Sequence, residues 1–248
     1  MHHVQRFDRL ASTQDEIHRL AAAGAPAGTL VVAEEQGAGR GARGRPWSSA
    51  RGGLWLTLLC RPEDGAGAEL LSLRAGLAAA EALDELGGLP PIALKWPNDL
   101  VADGRKLGGI LCEARWQGTA LEWVAVGLGI NVRNPLPDGA RMAPTRVAEW
   151  RPNVDVDDLL WPLLARLVPL ARGGPAQLSP AELATFARRD WLAGRTLLAP
   201  VAGAADGVAP DGALRVRRAD GTLATIRSGD ATPAVTVAPG GTAPPRAR

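Results

Sequence analysis

The 248-residue chain contains no tyrosine and two cysteines. Two cysteines build no disulfide framework in a chain of this size. Cys60 and Cys112 each end or sit in an apolar run, "LTLLC" and "GGILCE", so both are expected to be buried thiols in a reducing compartment. No apolar run approaches the roughly 18 residues needed to cross a bilayer. The opening "MHHVQRFDRL" lacks the apolar stretch of a secretory signal. A cytoplasmic location without membrane contact is therefore expected. Neither sign of charge is in excess: 28 Lys and Arg face 26 Asp and Glu, a formal net charge of +2. Nothing about the whole molecule demands a polyanionic partner. Without tyrosine or a broad basic face, a stacking surface for DNA or single-stranded nucleic acid is not expected either.

What is present is enough apolar residue for a core, 46% of the chain, with 22% charged, a balance that argues against global disorder. Periodicity predicts helices over 12–23, 69–86, 157–172 and 179–191, and strands over 29–35, 53–60, 91–97, 107–116 and 121–132. Ser12 is placed to cap the first helix, and "SPAE" at 179–182 supplies a cap, a proline and a glutamate in the order that starts a helix. From Gly194 onward the texture becomes short strands with an Asp220-Gly221 hairpin turn. The expected class is α+β. A mixed sheet flanked by helices would occupy 1–192 and a small β barrel 193–238, with a disordered tail over 239–248.

Charge is uneven at one place. Gln36 to Pro62 holds five arginines (40, 43, 45, 51, 61) and no acid, a local anion-binding signal. Inside it, "GAGRGARGRPW" (37–47) packs four glycines, three arginines and a tryptophan into eleven residues. Gly39, Gly41 and Gly44 satisfy the dinucleotide-binding glycine pattern, but a turn and a strand follow where that fold needs a helix. A Walker A loop fails for want of Gly-Lys-Ser/Thr. The kinase glycine loop fails because Pro46 holds its valine position.

The loop resembles the G-R-G-R-x-G-R-x-W segment of the biotin–protein ligases. "KWPNDL" (95–100), "KLGGILCE" (106–113) and "VGLGINV" (126–132) follow in that family's order, with "STQ" (12–14) upstream and "SGDATP" near 230. The resemblance covers roughly residues 5 to 235. It implies a class II synthetase-like catalytic domain with an SH3-like β barrel after it. It also implies an activity: biotin attacks ATP·Mg²⁺ to give biotinyl-AMP, and a lysine of a biotin carboxyl carrier protein then takes the biotin. Lipoate–protein ligases share this logic, but "KWPND" belongs to the biotin branch. An Arg/Gly nucleic-acid module and an inactive adenylate binder are the other readings. The oligomeric state is open, a homodimer included.

By that resemblance Lys95 and Arg40 are catalytic. Ser12, Thr13, Gln14, Gln36, Arg40, Gly41, Ala42, Lys95, Gly108, Gly109, Gly127 and Gly129 would line the biotin side. Gly39, Arg40, Arg43, Trp47, Asn98, Lys106 and Asn131 would face the nucleotide. The chemistry suits these residue types. Glycine admits backbone N–H groups close to phosphate, arginine forks pair with its oxygens, and a lysine supplies a point charge where two anions must meet. Three departures from the family pattern stand out. Gln14 replaces an asparagine, Ala42 replaces the second loop arginine, and no helix-turn-helix domain precedes residue 12.

Overall fold

Seven strands form the main sheet of the computed structural model, which describes residues 4–234 apart from 64 and 66. They are β1 (Val4–Phe7), β2 (Leu30–Ala33), β3 (Leu54–Cys60), β4 (Ile92–Lys95), β5 (Asp99–Ala102), β6 (Arg105–Gln117) and β7 (Ala120–Ile130). Their order across the sheet is β1-β2-β3-β7-β6-β5-β4. The β1–β2 pair is parallel and every other neighbouring pair antiparallel. The sheet is thus mixed, with a helix on one face and helices on the other, as the α+β expectation has it.

Strand alternation sorts the side chains. Leu54, Leu56, Leu58 and Cys60 of β3 and Val124, Val126, Leu128 and Ile130 of β7 face α2 (Leu71–Leu86) and α3 (Val156–Leu167) in one large apolar cluster. The opposite face carries Leu59, Trp123 and Ala125 under Ile17 and Ala21 of α1 (Thr13–Ala22). Ser12 caps α1, accepting a hydrogen bond from the Gln14 amide. Because α1 covers only part of this face, the rest is free to build a site. α4 (Pro180–Arg189) starts at the expected capping box of Ser179 and Glu182.

The C-terminal strands β8 (Thr196–Ala199), β9 (Gly203–Val208), β10 (Leu214–Arg217), β11 (Leu223–Ile226) and β12 (Thr232–Pro233) form an antiparallel sheet in the order β11-β10-β9-β8-β12. This is consistent with a small β unit there. Its Leu197, Leu214, Val216 and Ile226 join the same apolar cluster as the main sheet, and the Trp96 indole donates to the Gly212 carbonyl at 2.9 Å.

Several expectations change. The strand expected over 91–97 stops at Lys95, because the chain turns at Trp96–Asn98 and returns as β5. The helix expected over 157–172 ends at Leu167 and continues as a 3₁₀ turn, where Pro169 has no N–H to extend the α-helical ladder. Cys60 is buried as expected, whereas Cys112 is half-buried; both are free thiols. The tail 239–248 lies outside the described residues.

Candidate active site

The uncovered face is organised by strand register. One cross-strand row runs Lys95, Asp99, Gly109, Gly129 and Trp55, and the next runs Leu111, Gly127 and Thr57. A third row holds Glu113, Ala125 and Leu59. The glycines leave a shallow trough in the middle of this face. Two side chains lie over it. A Cβ on Gly127 would stand 2.8 Å from Gln14 Nε2, and one on Gly129 would stand 2.6 Å from Trp47 Nε1. Both distances are shorter than real Cβ contacts, so a side chain at either position would displace what rests on it.

At the α1 end a chain of polar groups fixes the trough wall. Thr57 Oγ1 donates to Thr13 Oγ1 at 2.8 Å, and Thr13 donates from both its amide and its hydroxyl to Gln36 Oε1 at 2.8 and 3.1 Å. Gln36 Nε2 then donates to Ser49 Oγ at 2.8 Å. Ser12, Thr13 and Gln14 are all buried here. Gln14 spends its amide nitrogen on the Leu111 carbonyl at 2.8 Å. Its Oε1 is buried and has no partner among the described residues, and the same is true of Trp47 Nε1. Leaving such a group unpaired costs about 1–3 kcal/mol. An orphaned acceptor over Gly127 and an orphaned donor over Gly129 mark a place built for a polar ligand.

The Gly/Arg loop folds back on itself above the trough. Trp47 N donates to the Gly39 carbonyl at 2.9 Å, and Gly41 N donates to Arg45 O at 2.7 Å. The tip lies at Arg43 and Gly44, both with positive φ. Arg45 reaches to 3.8 Å from Asp230 on the segment before β12, and the Arg43 guanidinium lies near Gly229. Arg40 turns the other way, to Asp15 at 2.8 Å and Glu113 at 3.2 Å. Arg51 and Arg61 leave the site. Arg51 approaches Glu34 and Glu35, and Arg61 closes the end of α1 by bonding to the Ala21 and Ala25 carbonyls.

Lys95 is 8% exposed at the end of β4. Its ammonium meets Asp230 Oδ1 at 3.1 Å and Asp99 Oδ2 at 3.4 Å. Lys106 pairs with the other Asp99 oxygen and lies 5.2 Å over the Trp47 ring. Arg141 pairs with the second Asp230 oxygen at 2.9 Å. Burial opposes ionisation of Asp230, but the hydrogen bond and charge of Lys95, helped by Arg141 and Arg45, hold its carboxyl below the usual range. Positive and negative groups therefore alternate along one end of the trough.

The structure thus gathers Ser12, Thr13, Gln14, Gln36 and Gly127 around one end of the trough and Trp47, Lys95, Lys106, Gly109 and Gly129 around the other. Gly108 departs from its expected place. It alternates to the opposite face, where a Cβ would meet the Gly129 carbonyl at 2.7 Å and Leu100 at 3.1 Å, so strand packing accounts for it. Asn98 commits its side-chain nitrogen to the Ile110 carbonyl at 2.8 Å, locking the β4–β5 turn. Asn131 is buried with both ends of its amide used, on Thr145 and Asn134. Lys95 and Arg40 stand at different rows, Arg40 with Glu113, four residues along β6 from Gly109. The acids were missed. Asp99, Glu113 and Asp230 all lie inside the motif blocks "KWPNDL", "KLGGILCE" and "SGDATP", but a search for phosphate-binding cations passes over carboxylates. Among the described residues no three metal-ligating side chains cluster, and no helix is long and apolar enough to cross a membrane.

Comparison with known proteins agrees with this geometry. The family model described as biotin/lipoate A/B protein ligase matches residues 7–131. The bifunctional ligase/repressor BirA of Bacillus subtilis is 38% identical over 152 residues, 59% of this chain. That match spans 46% of the relative, so the chain covers about half the length of this protein. The biotin--[acetyl-CoA-carboxylase] ligase of Paracoccus denitrificans is 37% identical over 222 residues, 84% of this chain and 92% of that one. Among solved structures, a biotin protein ligase from Aquifex aeolicus in complex with biotin and ATP superposes with a TM-score of 0.78 at 27% identity, covering 93% of this chain and 97% of that one.

Proposed function

The chain belongs to the biotin/lipoate A/B protein ligase family, and we propose that it activates biotin with ATP and transfers it to a lysine of a carrier protein. The observation that carries this reading is the buried ammonium of Lys95, beside a glycine-floored trough and a tryptophan-bearing Gly/Arg hairpin. Biotin's carboxylate and the α-phosphate of ATP repel each other. A cation already fixed between them lowers that barrier without reorganisation at the moment of reaction. Lys95 supplies the cation, and Lys106 stands one acid away on the nucleotide side.

The ureido ring of biotin offers both an N–H donor and a carbonyl acceptor, and the unpaired Gln14 Oε1 answers the donor. The Trp47 indole, seated flat against Gly129, closes the nucleotide end and keeps water from the mixed anhydride. Mg²⁺ enters as the ATP complex, and Asp99 and Asp230 are the carboxylates it would meet there. The second step needs a carrier lysine to approach biotinyl-AMP, which for this family reading is that of a biotin carboxyl carrier protein. A cytoplasmic setting provides ATP and keeps Cys60 and Cys112 reduced.

The test is ATP–pyrophosphate exchange with biotin and, in parallel, with lipoate. Exchange dependent on biotin and Mg²⁺ is the expected result. Exchange with lipoate alone would move the chain to the lipoate branch of the family.

A further inference from the structure

Three side chains stand behind Arg40 in a line that neither the resemblance nor the comparisons assign. The Trp123 indole N–H donates to His18 Nδ1 at 2.9 Å. An indole nitrogen only donates, so Nδ1 must accept, and the proton of this imidazole sits on Nε2. Nε2 faces Glu113 Oε2 at 3.0 Å and donates to it. Glu113 in turn takes both Nε and Nη2 of Arg40, at 3.4 and 3.2 Å. Asp15 adds a contact to Nη2 at 2.8 Å. All of these bonds lie on one edge of the guanidinium. Nη1 has no partner among the described residues, so its two N–H groups remain available to a ligand.

We propose that Glu113, oriented by His18 and Trp123, is the positioning residue for Arg40, holding one edge of the guanidinium so that the other is presented to the bound acyl-adenylate. This rests on the proposed function, which makes Arg40 a ligand-contacting group. The arrangement solves a particular problem. Arg40 rides on a glycine-flanked hairpin, and a guanidinium on a pliable loop has many orientations to lose. Glu113 lies on a central strand of the sheet, and His18 on the helix packed over it, so the acid is fixed from two rigid elements. A carboxylate clamped in this way transfers the rigidity of the sheet to the loop side chain. Asp15 makes the shorter contact and is the stronger hydrogen-bonding influence on Arg40, but it is about half exposed and meets one nitrogen only, whereas Glu113 holds two guanidinium nitrogens from the sheet and is itself fixed by His18.

The experiment is steady-state pyrophosphate exchange on the full chain and on Glu113→Gln, Arg40→Ala and the double variant, beside crystal structures of the native chain and Glu113→Gln. The introduced amide keeps an acceptor but loses the charge-assisted fork. We expect kcat to fall about tenfold, with the KM of biotin within about threefold, because the loss is felt when charge develops. In the Arg40→Ala background the same substitution should change kcat less than about twofold, since a positioning residue has nothing left to position. His18→Phe, which cannot donate to Glu113, should lower kcat about threefold in the native background and not in Arg40→Ala. In the crystals, Arg40 should keep its place in the native chain and leave it in Glu113→Gln. Unchanged or faster exchange in Glu113→Gln, or an equal loss with and without Arg40, overturns the proposal. If the native chain exchanges with neither biotin nor lipoate, the functional reading fails on its own. The crystals then still decide the positioning claim: an Arg40 unmoved in Glu113→Gln overturns it, and a displaced one upholds it.

Discussion

Gly127 and Gly129 lie two residues apart on the same face of the same strand, yet they support different things, and this allows a paired test. An added Cβ at Gly129 would stand 2.6 Å from Trp47 Nε1 and 2.9 Å from Cε2. Ordinary contact needs about 3.4 Å or more, so the indole must rise by roughly 1 Å across its whole ring. An indole is rigid and cannot yield at one end, so the hairpin that carries it must lift. Fully burying a large apolar side chain is worth about 1.5–3 kcal/mol. Trp47 is half-buried, so losing its seat costs the closed hairpin about 1 kcal/mol, or roughly fivefold in its population. At Gly127 the added Cβ meets Gln14 Nε2 at 2.8 Å and Cδ at 3.2 Å. The expected split is therefore in substrate. Gly129→Ala should raise the KM of ATP about fivefold and speed tryptic cutting at Arg43, leaving the KM of biotin near native. Gly127→Ala should raise the KM of biotin and leave tryptic cutting alone. Neither glycine has the positive φ that would strain alanine, so both variants should fold, which thermal melting checks. Equal effects of the two substitutions on both substrates would refute the division of the trough into a Gln14 end and a Trp47 end.

Lys95→Ala should lower exchange at least about a hundredfold, the scale of one charge aimed at a reacting phosphate. Because it leaves Asp99 and Asp230 facing each other, Lys95→Gln is run beside it, and native-like activity in either folded variant would remove Lys95 from the chemistry. Ala42→Arg should slow release of biotinyl-AMP about tenfold or more and cut stray labelling of an unrelated protein. Equal release from both chains would indicate that Arg45, which stands within reach of the Asp230 carboxylate that holds Lys95, already fills the role. Glu113 is held below the ordinary carboxyl range by its bond from His18 and by Arg40, against the opposing effect of burial, and Asp230 is also lowered. Groups whose folded pKa is depressed stabilise above the unfolded pKa of about 4 and lose that contribution as pH falls through the folded value. The melting temperature should thus be flat above about pH 5 and drop below about pH 4, less steeply in Glu113→Gln.

Long periodic segments were legible from the residues alone. The helix at 71–86, the β6–β7 hairpin and the capping box at Ser179 all appear where apolar spacing and cap chemistry put them. The short strands were not. β1 reads "VQRF", with two polar residues in four, and is a strand because β2 offers it a parallel edge. β5 spans four residues directly behind a proline turn, too few to show a period. At the site, motif order located Lys95, Lys106 and the glycines, but not which face each would take. Gly108 and Gly109 are neighbours in sequence and opposites in space, and only strand register separates them. The partners of the cations were illegible for a different reason. Asp230 comes 135 residues after Lys95, and Glu113 meets Arg40 across 73 residues, separations that no local pattern encodes.

Those ion pairs also bear on how a chain with a net charge of only +2 could receive a triphosphate, as the proposed function requires. From Arg141 through Asp230, Lys95 and Asp99 to Lys106, sign alternates at every step. A buried cluster of bare cations would cost several kcal/mol per ion in desolvation and would disrupt the fold. Here the buried cation, Lys95, is already desolvated against two acids of the chain itself, while Arg141 stays largely in solvent, so the folded state bears little of that cost. An arriving phosphate would then exchange one anion for another at Lys95, with Asp230 released toward Arg141, Arg45 or a Mg²⁺ carried on the nucleotide. Exchange of partners needs less reorganisation than creation of a site from solvent, and it runs equally well backwards. If pyrophosphate is formed as the proposed function has it, Asp230 and Asp99 would compete again for the lysines that hold it and so favour its departure. On the proposed function, the segment before β12 would serve as a movable counter-ion to Lys95, which is held at once by Asp99 of the main sheet and by Asp230.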